Sequence, residues 1–422
     1  MKKFIIPVIA LFATVGVSAQ TVISDTVTTG QHYVNHKFYS MADGELATLP
    51  SNSWTFAMGT TMGMSGAPIR FNPMVGTIKL VPNAFPDVAI MNVDTTGYSA
   101  QPELANSAEN LNIGALNISN DPNDQFDYSW GEYNMGSHNV ESSRTFGATI
   151  NGEFYLVRFT LHSVQNIMDV IYSKYQAADS TVYQLDFNNY TNKKFVYTDI
   201  AAKNLIDAEP ANWDLFFGQY TQPIPYQGTV LNYPVAGVLN SLNTQVAKVT
   251  VNSGDQATYT LTGNETYETR NDVIDYTWKA AGQGGVTIYD SLVYFVKAND
   301  GANWKMWFTN FISGSGTDAL AGSFIFNKQL ISGVGTKEIK DEFFTQLYPN
   351  PANDNVQLVV DAENPTTVDI YSLTGAKVYS ETISGGLQNH VISTASLKDG
   401  LYQVVVSNEN GQRAIQKLMV KH

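Results

Sequence analysis

Short runs in which apolar and polar residues alternate recur along most of the chain, rich in Val, Tyr, Phe and Thr and ended by turn dipeptides. A period of two places successive side chains on opposite faces of a strand, so these runs predict half-buried β-strands. The clearest example is Thr145–Asn151 followed by Gly152–Phe159, because Asn-Gly between two such runs predicts a two-residue hairpin. Asn299-Asp300-Gly301 sits the same way between Leu292–Lys297 and Trp304–Phe308. Helical periodicity is scarce; only Asp199–Asp207 stays open between helix and strand. The pattern predicts an all-β protein.

The alternating segments are also self-similar. His36-Lys-Phe-Tyr39 corresponds to Lys194-Phe-Val-Tyr197, Ser51-Asn-Ser-Trp54-Thr-Phe-Ala57 to Pro210-Ala-Asn-Trp213-Asp-Leu-Phe216, and Asp127-Tyr-Ser-Trp130 to Asp275-Tyr-Thr-Trp278. Three landmarks in one order predict two tandem antiparallel β-rich copies, residues 28–184 and 185–334, the alternative being one large sandwich with pseudo-symmetry. A Gly-rich and then charged stretch around residues 335–346 reads as a linker. From residue 347 to 422 a new set of period-2 runs, bounded by Gly, Asn, Asp and Pro, predicts a small immunoglobulin-like β-sandwich.

That last segment carries Tyr348-Pro349-Asn350-Pro351, then Val368–Leu373 leading into Thr374-Gly375, then Gly400-Leu401-Tyr402, and ends in Lys417-Leu-Met-Val-Lys421-His422. It resembles the type A C-terminal sorting domain of the type IX secretion system. The resemblance implies handling by the type IX machinery, passage across the outer membrane, and release or attachment at the cell surface.

The other end agrees with export. Met1–Ala19 has a basic start at Lys2 and Lys3, an apolar stretch from Phe4 to Val17, and small residues before Gln20, the pattern of a cleaved signal peptide. The apolar run is shorter than the roughly 20 residues a membrane-spanning helix needs, and no later segment is apolar enough to span a bilayer. Losing Lys2 and Lys3 takes the formal charge from −14 to −16, which disfavours nucleic acid and anionic membranes as partners. Charged residues make up only 15% of the chain against 43% hydrophobic ones, a balance that folds. Cysteine is absent, which excludes disulfides, thiolate metal sites, a cysteine nucleophile and an N-terminal lipid anchor.

The second copy reads Lys193–Tyr197, Asn212-Trp213-Asp214, Asp272–Lys279, Tyr294–Lys297, Asp300-Gly301, Lys305–Thr309 and Gly322–Phe326. This order resembles the HmuY-like haem-binding family, a β-rich fold with an opening strand pair, a Trp-Asp strand and a final hairpin at Asp-Gly. The resemblance implies haem as the ligand, held by axial histidines or methionines, one of them a few residues past the Trp-Asp strand. There the second copy has Gly218, Gln219 and Tyr220, and the first has Met58, with Met62, Met64 and Met74 close behind. Thioethers are legitimate axial ligands to haem iron, and His138, beside Met135, is a further candidate. His32 and His36, four residues apart at a predicted strand start, fall on one face. Trp54, Trp130, Trp213 and Trp278 read as core anchors, and Asn120–Gln125 as a solvated acidic turn that lacks the glycine and closing glutamate of a calcium loop. No nucleophile elbow, phosphate loop or His-Glu-x-x-His motif occurs. The expected function is a secreted or surface-attached, non-enzymatic binding protein, with haem the named ligand. An adhesive surface module without a small-molecule ligand is the alternative, and a glycan-active hydrolase ranks last.

Overall fold

The computed structural model describes residues 21–60, 67–84, 86–190, 192–282, 285–317, 319–332, 344–362, 364–372, 376–408 and 413–422. The leader at 1–19, Met62, Met64, Gly375 and most of the linker lie outside the described residues. The chain divides into two compact units that meet between Gly333 and Val334.

The strands of the first unit are β1 (Ile23–Thr28), β2 (Asn35–Ser40), β3 (Gly44–Pro50), β4 (Phe56–Gly59), β5 (Ile69–Phe71), β6 (Gly76–Leu80), β7 (Gly131–Asn134), β8 (Asn139–Ser142), β9 (Phe146–Ile150), β10 (Glu153–His162), β11 (Ile167–Lys174), β12 (Thr181–Asp186), β13 (Phe195–Asp199), β14 (Asn204–Ile206), β15 (Leu215–Tyr226), β16 (Thr229–Asn240), β17 (Gln245–Thr250), β18 (Lys279–Gly282), β19 (Gly285–Ile288), β20 (Leu292–Lys297), β21 (Asn303–Ile312) and β22 (Ser323–Ser332). The fold is all-β, as the alternation predicts. Both turn dipeptides make their hairpins. Asn151 and Gly152 take the left-handed conformation between β9 and β10, with Ile150 opposite Glu153, and Gly301 takes it between β20 and β21. Asp199–Asp207 resolves as a turn and a strand: the Asp199 carboxylate accepts from the Ala201 and Ala202 amides, closing a tight turn into β14.

Among the described residues of the first unit, four of the five antiparallel sheets stack in layers, the fifth being the two-stranded β18-β19 ribbon. One outer sheet runs β12-β11-β10, with β9-β6 and β8-β7 both attached to β10; the other runs β1-β22-β21-β20-β17. Between them lie two four-stranded sheets, β14-β13-β4-β5 and β16-β15-β2-β3. Each inner sheet is apolar on both faces. Phe56, Met58 and Val196 join the core under the first outer sheet with Trp130, Phe159 and Met168. Tyr39, Leu215 and Phe217 join the core under the other with Trp278, Phe308 and Phe326. The facing sides of the inner sheets supply a third core that includes Phe38, Trp54, Phe195, Tyr197, Trp213 and Leu239.

Strands from either side of residue 184 share sheets. β2 pairs with β15, so that Phe38 lies opposite Phe216, and β4 pairs with β13, so that Ala57 lies opposite Tyr197. The opening hairpin of each sequence copy thus pairs with the Trp strand of the other. β1 in turn completes the sheet built from the last strands of the unit. A buried network fixes it there: Lys328 Nζ donates to the Tyr39 hydroxyl at 2.6 Å and lies 3.2 Å from the Asp25 carboxylate, while Tyr39 donates to Asp25 at 2.5 Å.

The second unit contains β23 (Phe344–Tyr348), β24 (Asn355–Ala362), β25 (Thr366–Ser372), β26 (Lys377–Ile383), β27 (Gly386–Ser393), β28 (Gly400–Asn408) and β29 (Arg413–Val420). They form sheets β23-β24-β27 and β26-β25-β28-β29 around a core of Leu347, Leu358, Val368, Ile370, Val404 and Leu418. The Tyr348-Pro349-Asn350-Pro351 segment is tied to the last strand: Asn350 Nδ2 donates to the Lys417 carbonyl at 2.7 Å, and the Met419 amide donates to Asn350 Oδ1 at 2.8 Å. Leu401 is half-buried on β28, and the Tyr402 hydroxyl donates to the Lys398 carbonyl at 2.8 Å.

Because each inner sheet takes two strands from each sequence copy, neither copy keeps a closed core alone. Residues 21–190 and 191–332 expressed separately are expected to be insoluble or to lack near-ultraviolet circular dichroism, and co-expression to restore one soluble complex with a single cooperative unfolding transition. Two halves that each melt cooperatively by themselves would refute this account.

Candidate functional site

A cavity of about 80 Å³ lies between the two inner sheets. Its walls come from residues 159 positions apart in the two sequence copies: His36 and Phe195, Phe38 and Tyr197, Trp54 and Trp213, Ala57 and Phe216. The pleat determines which residues face inward. On β4, Ala57 turns to the cavity while Phe56 and Met58 turn to the outer core; on β15, Phe216 turns inward while Leu215 and Phe217 turn outward. Where the second copy places Phe216, the first has alanine, and the space this leaves forms part of the void.

His36 is 3% exposed and is wedged against Phe216, ring centroids 5.0 Å apart. A Cβ at Gly218 would come within 2.7 Å of the imidazole, so glycine there is what lets the ring sit against β15. Burial alone lowers the His36 pKa to about 4, so the imidazole is neutral at physiological pH. Three polar atoms on the cavity wall have no partner among the described residues: His36 Nε2, Trp54 Nε1 and the Tyr220 hydroxyl. Trp54 and Tyr220 are each 7% exposed. Leaving a buried donor or acceptor unmade costs about 1–3 kcal/mol. Trp278 Nε1, Trp304 Nε1 and the Tyr294 hydroxyl are likewise unpartnered in the outer core, and what sets the first three apart is that their residues line a cavity.

Arg70, on β5, also lines the cavity. Its guanidinium donates to the carbonyls of Leu111 at 2.9 Å and Ser107 at 3.1 Å, with a longer bond to Ile113 at 3.4 Å, and faces the Phe195 ring at 6.0 Å. No carboxylate among the described residues forms an ion pair with it. Burial pushes it down to about 10, which leaves it charged at neutral pH. The segment Asn106–Gly114 closes this side. Asn106 exchanges hydrogen bonds with the Phe71 backbone, and Leu111 donates its amide to Asn271 Oδ1 at 2.9 Å. A second pocket, about 130 Å³, shares Pro73, Asn106 and Thr221 with the first and adds Met74, Glu103 and Asn232.

Trp213 is held from behind. Its indole donates to Glu209 Oε1 at 2.8 Å, and the Phe195 amide donates to Glu209 Oε2 at 2.9 Å. Glu209 is 1% exposed, and burial pushes its carboxyl up to about 7.

The residues singled out in the sequence do not assemble. Met58 is fully buried in the outer core and Met74 lines the second pocket. His138 is exposed in the β7–β8 turn, hydrogen-bonded to the Tyr133 hydroxyl at 2.8 Å. His32 and His36 do not share a strand face, because residues 31–33 form a short 3-10 turn before β2. All four tryptophans are buried in cores, as expected, and Trp54 and Trp213 also wall the cavity. Gln219 and Tyr220, at the place where the family resemblance puts a ligand in the second copy, do line it. Arg70 gave no local signal of its own, and His36 drew notice only through its spacing from His32.

Residues 346–421 match the family described as the secretion system C-terminal sorting domain. The protein is therefore exported through the type IX system, to be attached to or released at the outer cell surface. Among the described residues no helix is long and apolar enough to cross a membrane. No curated protein matches the chain. Among solved structures, dimeric latent PorU from Porphyromonas gingivalis is similar at 12% identity over 67% of this chain and 26% of that one, with a TM-score of 0.17, too low to support an argument about fold.

The buried Glu209 sets a pH dependence. The folded state keeps its proton up to about pH 7, whereas the unfolded chain releases it near 4.5, so folded stability falls as pH rises through that window, by about 3 kcal/mol for this group. Glu209→Gln is expected to flatten that fall, checked by urea denaturation at pH 5 and pH 7.5; an unchanged difference between the two pH values would contradict it.

Proposed function

We propose that this is a non-enzymatic binding protein, delivered to the cell surface by its sorting domain, that holds a small ring-sized ligand between its two inner sheets. The observation that carries the reading is one aromatic cavity lined by His36 and Trp54, whose Nε2 and Nε1 are buried and unpartnered, and by Tyr220, whose hydroxyl lies beside Gln222. A few convergent polar groups in an apolar pocket are what orient a bound small molecule. His36 supports binding over catalysis, since an imidazole held neutral far below pH 7 is poorly poised as a general acid or base there.

The HmuY-like resemblance is consistent with a ligand at this place, because Gln219 and Tyr220 follow the Trp213 strand into the cavity wall. It does not extend easily to haem. The cavity volume equals roughly five to eight water-sized sites, too few for a porphyrin, and Met58 faces the other core. An adhesive surface module remains as a second reading, favoured by the tip of the β15–β16 hairpin, where Tyr226, Val230, Leu231 and Tyr233 are each 45–65% exposed.

Single-ring compounds are expected to raise the melting temperature of the exported protein, by about 2–4 °C for each kcal/mol of binding free energy. Ala57→Phe, which fills the cavity, is expected to abolish the rise. If no compound stabilises the parent protein more than the filled variant, the binding reading fails. Haem titrated into the same protein is expected to keep the absorption spectrum of free haem, and a saturable Soret shift would restore the haem reading.

A further inference from the structure

We propose that the ligand is an aromatic monocarboxylate of about the size of benzoate, its carboxylate directed to Arg70 and Trp54 and its ring held among the aromatic side chains of the facing sheets. This rests on the reading of the cavity as a binding site and narrows the chemistry of what enters it.

The first argument is charge. Arg70 lines the cavity with its hydrogens directed at backbone carbonyls, which satisfy donors without neutralising the cation. A half-buried guanidinium without a carboxylate partner lacks part of the compensation that such a group ordinarily has. The carboxyl behind the wall, Glu209, directs both oxygens at Trp213 and the Phe195 amide, and is not among the cavity-lining residues.

The second argument is donor count. An indole N–H donates only, while a neutral imidazole and a phenol accept or donate as required. The unpartnered set of Trp54, His36 and Tyr220 therefore needs at least one acceptor and is filled best by a group with several lone pairs, as a carboxylate has. The third is shape. Phe38, Tyr197, Trp213 and Phe216 supply ring faces around a volume that a single six-membered ring and one small substituent would occupy. The formal charge of −14 on the whole chain repels anions at a distance, so preference for one must come from these local groups.

The test is titration calorimetry of the exported full chain with benzoate, benzamide, benzyl alcohol and benzylamine. Benzoate is expected to bind one equivalent at least about ten-fold more tightly than the two neutral compounds, as charged hydrogen bonds exceed neutral ones, and benzylamine not to bind. Trp54→Phe keeps a ring in place and is expected to weaken benzoate by about ten-fold while changing benzyl alcohol less. Arg70→Lys keeps the charge but loses the fork, and is expected to weaken benzoate with the circular dichroism spectrum unchanged. Equal or tighter binding of the neutral compounds or the amine would overturn the carboxylate assignment and leave the cavity reading standing. Failure of all four compounds to bind would remove both. Benzoate binding indifferent to Trp54→Phe, Arg70→Lys and Ala57→Phe would place the anion elsewhere and overturn the inference.

Discussion

The pairing of β2 with β15 and of β4 with β13 is the constraint on which the rest of the first unit depends. Each pairing joins a strand from one sequence copy to a strand from the other, and with both made neither copy can leave without opening two sheets. It also explains the composition of these strands. An inner strand meets a core on each face, so β4, Phe56-Ala-Met-Gly59, is buried at every position and loses the alternation that marks the outer strands. The same pairing brings Trp54 and Trp213, far apart in sequence, to the walls of one void.

Within that pseudo-symmetric frame, the cavity sits where the copies differ. Judged by the side chains that line the cavity, His36 on β2 takes the place of Phe195 on β13, one residue off the sequence match of His36 with Lys194, and Ala57 takes that of Phe216. One exchange brings a polar ring into an aromatic layer; the other removes a ring and leaves space. Thr55 and Asp214 form a third unequal pair. Asp214, buried, accepts from the amides of Met41 at 2.8 Å and Asn299 at 2.7 Å, so the second copy uses this position to fasten two turns. Thr55 lies 3.4 Å from Asp199 and fastens nothing comparable. A duplicated frame supplies the layers, and differences between the copies supply the cavity between them.

Local chemistry was legible in the sequence, and long-range pairing was not. Asn151-Gly152 and Asp300-Gly301 made the hairpins their backbone preferences predict, and Tyr348–Tyr402 announced both a β-sandwich and an export route. The repeat was visible through Trp54 and Trp213, but similarity between copies does not say which copy a strand will pair with. That choice decides everything at the cavity. The methionine cluster drew attention by composition, yet β4 is only four residues long, and its pleat puts Met58 on the face away from the void. The His32 and His36 spacing assumed an unbroken strand, and Gly30, in the left-handed region, instead starts a 3-10 turn that carries His32 off it. Arg70 reads from sequence as an ordinary strand-edge cation; only the return of Ser107–Ile113 over β5 encloses it.

A cavity lined by aromatic rings and a few buried polar atoms is a cost that the surrounding structure has to carry. Three unpartnered atoms at about 1–3 kcal/mol each approach the whole net stability of a typical domain, about 5–15 kcal/mol. That cost is offset by the apolar cores behind the two inner sheets, where Trp278 stacks on Phe308 at 3.7 Å on one side and Phe56 packs edge-on against Phe159 at 5.2 Å on the other. The lid segment adds to this, since a Cβ at Gly114 would collide with the Ile69 carbonyl at 2.0 Å and Asn106 locks the segment to β5. The void therefore does not relax by collapse. On the binding reading proposed above, a ligand that completes those hydrogen bonds stabilises the fold by the same interactions that hold it.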